Sequence, residues 1–368
     1  MKIGINLLYL IPHKVGGTET YTKGLIQSLL KYDKKNKYYL FCNNENYDLF
    51  SKYKNAVCVR IPIRAEKRYI RLIVEQVVLP IYLYIYKIDL VHSLGYISPF
   101  IAPCKSIVNI YDLNWYFFPN DFSFLSKYAW SFFVRNSARF SDAVTTCSFK
   151  SRDSIRKILN INKRIVVIYP GLPEMEKPRG LNYLIKQSIK TPYIFSLSAR
   201  YPHKNVIGLL KSFNIASKKI KNLNLVIAGL GGKSDPEVEK YISDNSLGSK
   251  IIILKWISDT LMSTLYKNAE AFVFTSKYEG FGLPLLECFK SSTPVISSTA
   301  YSLKEVLDNG GVGIDPDDHD KFADEIVKVL NNKKYQKQLS KISKDRGRDF
   351  SWKKAAITVM NLYQNIEK

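Results

Sequence analysis

Two glutamates eight positions apart enclose a glycine-rich stretch that could bind a diphosphate ligand. Glu279 and Glu287 flank Gly-Phe-Gly-Leu-Pro at residues 280–284, after an apolar run at residues 271–274. Pro284 suits the first position of a helix. Unpaired amides at a helix start attract phosphate oxygens, and carboxylates can accept hydrogen bonds from hydroxyls. The pattern predicts a strand, a loop and a helix, with one carboxylate at each end of a nucleotide-sugar.

A basic segment upstream has the same local design. Residues 198–205, Ser-Ala-Arg-Tyr-Pro-His-Lys-Asn, follow an apolar run and precede a helical pattern. Charge accumulates on a nucleoside diphosphate as it leaves, and fixed cations aimed at it give electrostatic catalysis. Arg200 and Lys204 are therefore candidates for contact with a diphosphate, and a basic helix start exposed to water is the alternative.

These motifs, with a Gly16-Gly17 turn near the start of the chain, resemble retaining glycosyltransferases of family four, which have the GT-B fold and an E-x7-E signature. The resemblance implies that Glu279 contacts the donor sugar, that Glu287 contacts the ribose, and that the glycine turn faces the diphosphate. Ser198 and His203 depart from the family pattern, which usually has Gly and Arg there. The predicted donor site comprises Gly16, Gly17, Arg200, Lys204, Glu279, Gly280, Phe281, Gly282, Leu283 and Glu287, and the nucleobase region comprises Gly229, Trp256 and Ile257.

A further acid is predicted on the acceptor side. Many relatives have a His-Asp pair where this chain has Tyr111-Asp112, so no histidine acid or base is assigned. A turn residue at a strand end is the alternative for Asp112. Trp256 is interpreted as core or as support for the base-binding backbone. The predicted catalytic residues are Glu279, Asp112, Arg200 and Lys204, none of them a nucleophile.

The elements that must position these residues alternate between strand and helix patterns in two series. A chain of 368 residues suits two domains, and the series break at a Pro/Gly-rich stretch near residues 170–180. The prediction is an α/β, GT-B fold with two facing, Rossmann-like, doubly wound parallel-sheet domains and a cleft between them. The predicted parts are an acceptor-side domain (1–172), a linker (173–190), a donor-binding domain (191–351) and a C-terminal helix (352–368) that packs back on the first domain.

The charge balance favours an anionic partner. The formal net charge is +23, and residues 61–73 mix apolar side chains with Arg64, Lys67, Arg68 and Arg71. Such a segment could lie on an anionic membrane, or it could be a helix with a solvated basic face. The sequence lacks a signal-peptide pattern, and its longest uninterrupted apolar run, residues 77–86, is too short to span a bilayer. We expect a cytoplasmic protein, peripheral on the inner face of the plasma membrane.

Metal and cofactor sites are not expected. The acidic stretch 315–320 is interpreted as a turn and helix cap, and the histidines lack metal-ligand spacing. The resemblance implies metal-independent transfer of a hexose from a UDP- or GDP-sugar to a saccharide acceptor, often linked to polyprenyl diphosphate, in bacterial O-antigen, capsule or lipopolysaccharide synthesis. A GT-B epimerase or phosphorylase is an alternative. A nucleic-acid-binding protein is favoured by charge alone, without a matching motif.

Overall fold

The computed structural model describes residues 1–14, 16–230 and 235–367. The chain forms two compact units. The first unit contains Met1–Gly171 and Ser351–Lys368, and the second contains Leu172–Phe350. The C-terminal helix therefore belongs to the same unit as the N-terminal sheet.

A parallel sheet forms the centre of the first unit. Its strands are β1 (Lys2–Asn6), β2 (Lys37–Cys42), β3 (Ala56–Arg60), β4 (Leu90–Ser93), β5 (Lys105–Asn109), β6 (Ala143–Thr146) and β7 (Ile165–Val167). They lie in the order β3-β2-β1-β4-β5-β6-β7, and each neighbouring pair is parallel. The central strands are buried along most of their length because both faces of the sheet are covered.

Helices cover the first sheet. They are α1 (Gly17–Tyr32), α2 (Tyr47–Phe50), α3 (Arg68–Ile73), α4 (Leu79–Ile85), α5 (Asn114–Phe117), α6 (Phe124–Phe140), α7 (Phe149–Leu159) and α16 (Trp352–Glu367). A π-helix (Val74–Val78) joins α3 to α4, and a 3-10 turn (Pro119–Asp121) follows α5. Helix α16 packs on α1. Its Tyr363 hydroxyl lies 2.8 Å from Nδ1 of the buried His92.

The first strand is shorter than the apolar run at residues 2–10 suggests. The Asn6 side chain accepts a hydrogen bond from the Leu8 amide at 3.1 Å, and the Leu10 amide bonds to the Leu7 carbonyl. These bonds turn the chain out of the sheet while residues 7–10 stay buried.

The second unit repeats the design. Its strands are β8 (Tyr193–Leu197), β9 (Asn224–Ala228), β10 (Ile251–Leu254), β11 (Ala271–Phe274), β12 (Val295–Ser298) and β13 (Val312–Ile314), in the order β10-β9-β8-β11-β12-β13. Its helices are α8 (Leu181–Lys186), α9 (Val206–Lys219), α10 (Pro236–Asp244), α11 (Asp259–Asn268), α12 (Leu283–Ser291), α13 (Leu303–Leu307), α14 (His319–Asn331) and α15 (Lys333–Gly347). A 3-10 turn (Pro202–Lys204) precedes α9.

Both strand orders reverse once, and the reversal positions the functional loops. In the second unit β8 and β11 are neighbours although two strands separate them in sequence. Connections from such a pair leave on opposite faces of the sheet, which opens a crevice at the carboxyl ends of the strands. The predicted doubly wound, Rossmann-like parallel sheets are confirmed.

Candidate functional site

The crevice of the second unit brings the two predicted motifs together. The chain leaving β8 carries Lys204, and the chain leaving β11 carries Glu279. The Lys204 Nζ donates a hydrogen bond to Glu279 Oε1 at 2.8 Å. Their side chains are only 20% and 12% exposed, respectively, so water screens this pair less than a surface pair.

Side-chain bonds to the backbone hold the two loops against each other. Asn205 adopts a left-handed conformation (φ 53°) and donates from Nδ2 to the carbonyls of Thr275 and Pro316, at 3.1 and 3.0 Å. In return, the Thr275 hydroxyl donates to the Asn205 carbonyl at 3.0 Å. The Lys277 amide donates to the His203 carbonyl at 2.7 Å. These bonds fix the backbone on both sides of the ion pair.

Three positions important for the glutamates were not predicted from the sequence. The Ser302 hydroxyl donates to the Glu279 carbonyl. The Ser276 hydroxyl donates to the carbonyls of His203 and Tyr278, at 3.2 and 3.1 Å. Tyr266 lies beside Glu287. The sequence does not indicate the roles of these three residues, because they belong to no functional motif and only the fold brings them to the loop.

The helix start after Glu279 has the predicted form, with one difference in register. Gly282 is the N-cap of α12 in a left-handed conformation (φ 100°), and Leu283 is the first helical residue. Pro284 therefore takes the second position rather than the first. Leu283 contributes an amide that the helix itself cannot use. Phe281 is 6% exposed and its ring packs on Phe350, so its side chain stabilises the loop.

Glu287 is partly buried on α12, and its carboxyl group points one buried oxygen into the protein. It lies on the second turn of the helix, which begins at Leu283. Among the described residues, its Oε2 has no hydrogen-bond partner, and neither has the nearby Tyr266 hydroxyl. Burial raises the pKa of Glu287 to about 7, and Asp259 raises it further, whereas Tyr266 opposes the shift. An unpaired buried carboxyl oxygen is costly and suits a site completed by a ligand hydroxyl.

Arg200 lies in the same crevice-facing loop, between β8 and the 3-10 turn. Its Nε is buried and has no hydrogen-bond partner in the described part of the chain. Two residues earlier, the Ser198 amide donates a hydrogen bond to the Ala228 carbonyl at 2.9 Å, which holds the start of the loop at the sheet. A donor left unpaired at the carboxyl end of β8 is compatible with an anionic ligand.

The residues assigned to the nucleobase region divide into structural and exposed ones. Gly229 has a φ of 91°, and a Cβ there would lie 2.4 Å from the Ser198 carbonyl oxygen, so only glycine fits. Trp256 is 84% exposed, which contradicts its interpretation as core. It follows β10, the edge strand of the sheet. Ile257 is half-buried.

In the first unit, the glycine turn forms an open helix start. Gly16 is the N-cap of α1, with a φ of 56°, and a Cβ there would meet no atom within 4 Å. Gly17 is also exposed. Glu19 is buried, accepts the His13 amide at 2.7 Å and pairs with Lys23. The loop before the helix is thereby fixed while its glycines remain accessible.

Asp112 lies three residues beyond β5, just before Leu113, which is the N-cap of the short helix α5. Its Oδ1 accepts hydrogen bonds from the Tyr96 hydroxyl and the Asn114 amide, both at 3.2 Å. Tyr111, which stands where relatives have histidine, is 6% exposed and donates to the Leu94 carbonyl at 3.0 Å. The acidic stretch 315–320 caps a helix, since Asp318 accepts the Lys321 amide at 3.1 Å.

Comparison with known families identifies the class of protein to which this architecture belongs. Residues 15–174 match the family described as Glycosyltransferase Family 4, and residues 182–346 match Glycosyl transferases group 1. The two matches together cover most of the chain. The chain belongs to the group 1 glycosyltransferases and has the GT-B fold, which consists of two Rossmann-like domains.

Relatives and solved structures add detail. The chain is 29% identical over 225 residues to the O-antigen chain mannosyltransferase RfbU of Salmonella typhimurium, and this region covers 60% of each protein. The sucrose-phosphate synthase of Thermosynechococcus elongatus has a TM-score of 0.76 at 17% identity, covering 99% of this chain and 98% of that one. Anabaena Alr3699/HepE in complex with UDP-glucose has a TM-score of 0.73 at 17% identity, covering 99% and 100%. These two structures support the fold alone.

Proposed function

We propose that this protein is a retaining hexosyltransferase. It moves a hexose from a UDP- or GDP-sugar to a saccharide acceptor linked to a lipid such as polyprenyl diphosphate. The process is the synthesis of a bacterial O-antigen, capsule or lipopolysaccharide. The O-antigen mannosyltransferase relative supports the process, although the match spans only 60% of its length, and makes mannose the first hexose to test.

One observation carries the proposal: the Lys204–Glu279 ion pair lies beside the start of α12, and Glu287, with one buried and unpaired carboxyl oxygen, lies on that helix. A bound diphosphate would attract Lys204 and Arg200, since both are cations on the loop after β8. Glu279 would then exchange its lysine partner for hydroxyls of the donor sugar. Glu287 would accept a ribose hydroxyl on its unpaired oxygen.

Catalysis in this scheme is electrostatic. As the bond between sugar and phosphate breaks, negative charge grows on the leaving diphosphate. In the proposed scheme, Lys204, Arg200 and the amide of Leu283 stabilise this charge. Because no protein nucleophile is assigned, retention requires the acceptor to attack the face that the diphosphate leaves. We therefore assign the acceptor proton to the departing phosphate oxygen. For Gly16, Gly17 and Asp112, the roles rest on the family resemblance and on the open start of α1.

We further propose that no metal is required, because the cations of the crevice take over the charge compensation that a divalent ion would otherwise give. Within the described residues there is no group of three or more His, Cys, Asp or Glu side chains that could hold a metal ion. Activity that survives EDTA supports this part of the proposal. Activity lost to EDTA and restored by Mg²⁺ or Mn²⁺ contradicts it.

The central test is a panel of UDP-, GDP-, dTDP- and ADP-sugars, in which purified protein is scored for binding, donor hydrolysis and transfer. NMR of the product then gives the anomeric configuration. Binding or turnover of one UDP- or GDP-hexose, with an α-linked product from an α-linked donor, supports the proposal. An inverted product contradicts retention, phosphate-dependent turnover indicates a phosphorylase, and no response to any nucleotide-sugar contradicts the whole scheme.

A further inference from the structure

A row of exposed apolar side chains runs along one continuous helical segment of the first unit. The segment comprises α3, the π-helix and α4, from Arg68 to Ile85. The exposed fractions range from 46% for Ile70 to 76% for Tyr84. The residues of this outer row are Tyr69, Ile70, Ile73, Val77, Ile81, Tyr84 and Ile85. Most of them recur every three or four positions, so they share one face of the helix.

The opposite face of the segment is also apolar. Leu72, Val74, Leu79 and Leu83 are buried, the last three in a core cluster with residues of the sheet. A surface helix normally turns polar side chains to water. When the outer face is apolar too, that face is expected to contact a second apolar surface. The outer row therefore indicates a surface with a partner.

The π-helix keeps this segment continuous. Pro80 has no amide hydrogen and cannot bond to the Gln76 carbonyl, so the hydrogen-bond ladder changes register just before it. Gln76 uses its side chain to hold a neighbouring loop instead. Its Oε1 accepts the Phe100 amide at 3.0 Å, and its Nε2 donates to the Ser98 carbonyl at 3.2 Å.

Cations outnumber acids around the outer row. Glu75 is the only acid from Arg68 to Ile85, and it is buried, as is Arg71, which lies 3.8 Å from it. The prediction of a basic face that includes Arg71 is therefore wrong for this residue, because the arginine turns inward and the apolar side chains turn outward. Cations flank the row instead: Arg64 and Lys67 precede it, Lys87 follows it, and all three are exposed. The two exposed acids in these flanks already have partners, since Glu66 pairs with Lys14 and Asp89 accepts the Lys2 amide.

Helix α6 adds exposed aromatic rings next to this segment. The Arg68 guanidinium lies 4.5 Å from the centre of the Trp130 ring, which joins α3 to α6. Phe100, held by Gln76, packs on Phe132 and Phe140 of α6. The latter two are 57% and 54% exposed.

We propose that the outer row inserts into the headgroup region of an anionic lipid bilayer, with Arg64, Lys67 and Lys87 on lipid phosphates. A self-complementary interface between two copies would bring these cations against each other, whereas an anionic surface matches their charge. In the described residues no helix has the length and apolar character to cross a bilayer, so the segment lies in the interface. The inference gives the proposed lipid-linked acceptor a docking surface, but docking is tested without any transfer.

The experiment is co-sedimentation with vesicles of phosphatidylcholine containing 30% phosphatidylglycerol or none. We expect wild-type protein to bind the anionic vesicles, and the double variant Ile73→Asp/Ile81→Asp to bind at least tenfold more weakly. Ile185→Asp is the matched control, since Ile185 of α8 is 63% exposed, the same as Ile73, but lies in the second unit. High salt should weaken wild-type binding only in part, because apolar insertion is not screened.

Three results would overturn the inference: no binding of wild-type protein to anionic vesicles, equal losses in both variants, or unchanged binding in the double variant. A wild-type dimer that the double variant converts to a monomer, with vesicle binding intact, would assign the row to a second copy. Donor hydrolysis by the double variant separates the two proposals. If the double variant hydrolyses the donor at the wild-type rate but no longer binds vesicles, the docking proposal is supported. If the wild-type protein binds vesicles but turns over no nucleotide-sugar, the docking proposal stands and the proposed function is contradicted.

Discussion

The ammonium group of Lys204 lies 2.8 Å from the carboxylate of Glu279, 75 residues away in the sequence. Each side chain is mostly buried, and hydrogen bonds hold the two loops that carry them. Ligand binding should therefore cost little further conformational entropy at either side chain. The pair thus keeps both charges in place and ready to exchange partners.

Removal of the lysine should reduce the rate more than the amount of folded protein. We expect Lys204→Ala to lower kcat by about 10²–10³-fold, as for loss of one group that stabilises charge in a transition state. Lys277→Ala is the control, because Lys277 forms an exposed ion pair with Asp317 beside the same loop. Initial rates of donor hydrolysis or transfer, with thermal unfolding of each variant, test this prediction. Full turnover by Lys204→Ala would remove Lys204 from the site.

Donor affinity should increase with pH in the range around pH 7. Burial raises the pKa of Glu287 to about 7, so the carboxyl group loses its proton as the pH rises through that value. Only the carboxylate accepts hydrogen bonds on both oxygens. We expect tighter binding at pH 8 than at pH 6, and weak, pH-independent binding in Glu287→Gln. Calorimetry with an intact nucleotide-sugar measures this. The same pH slope in both proteins would contradict a ribose contact by Glu287.

The buried Glu75 should make the protein less stable as the pH rises. Burial raises its pKa to about 7 from 4.5, despite the nearby Arg71, so the folded state holds the proton more tightly than the unfolded state does. The stabilisation is therefore present below about pH 4.5 and is lost as the pH rises through about 7. A shift of this size corresponds to roughly 3 kcal/mol.

Glu75→Gln should remove that loss. We expect the melting temperature of the variant, relative to wild type, to increase from pH 5 to pH 8. Glu287 contributes a loss of the same sign, but it is present in both proteins and cancels in the comparison. A difference in melting temperature that is the same at both pH values would show that Glu75 does not titrate in this range.

The backbone at Gly282 should tolerate no side chain. Its φ of 100° disfavours any L-residue, and a Cβ would lie 2.6 Å from Leu303. Gly282→Ala should lower the free energy of unfolding by about 1–2 kcal/mol. It should also weaken donor binding, because the start of α12 would shift. Gly180→Ala is the control, since Gly180 has a φ of −79° and open space around it. Denaturant unfolding of both variants checks the difference; equal effects would show that the left-handed cap is dispensable.

The sequence by itself determined the class of fold, the group 1 glycosyltransferase family and the order of the site motifs. Alternating apolar runs and helical patterns are local features, and Gly282, Pro284 and Asp318 control the chain through their own backbone and nearest neighbours. Such signals can be identified without a tertiary structure, although the exact start of α12 differed by one residue because the left-handed Gly282 caps it.

Only the tertiary structure decided which side chains are paired and which way they face. The neighbouring positions of β8 and β11 bring Lys204 to Glu279, and a strand order cannot be inferred from local patterns. The inward turn of Arg71 and the exposure of Trp256 depend on what the rest of the chain covers. Burial and pairing are non-local quantities, since they are set by contacts between distant segments, whereas periodicity and caps are set within a few residues.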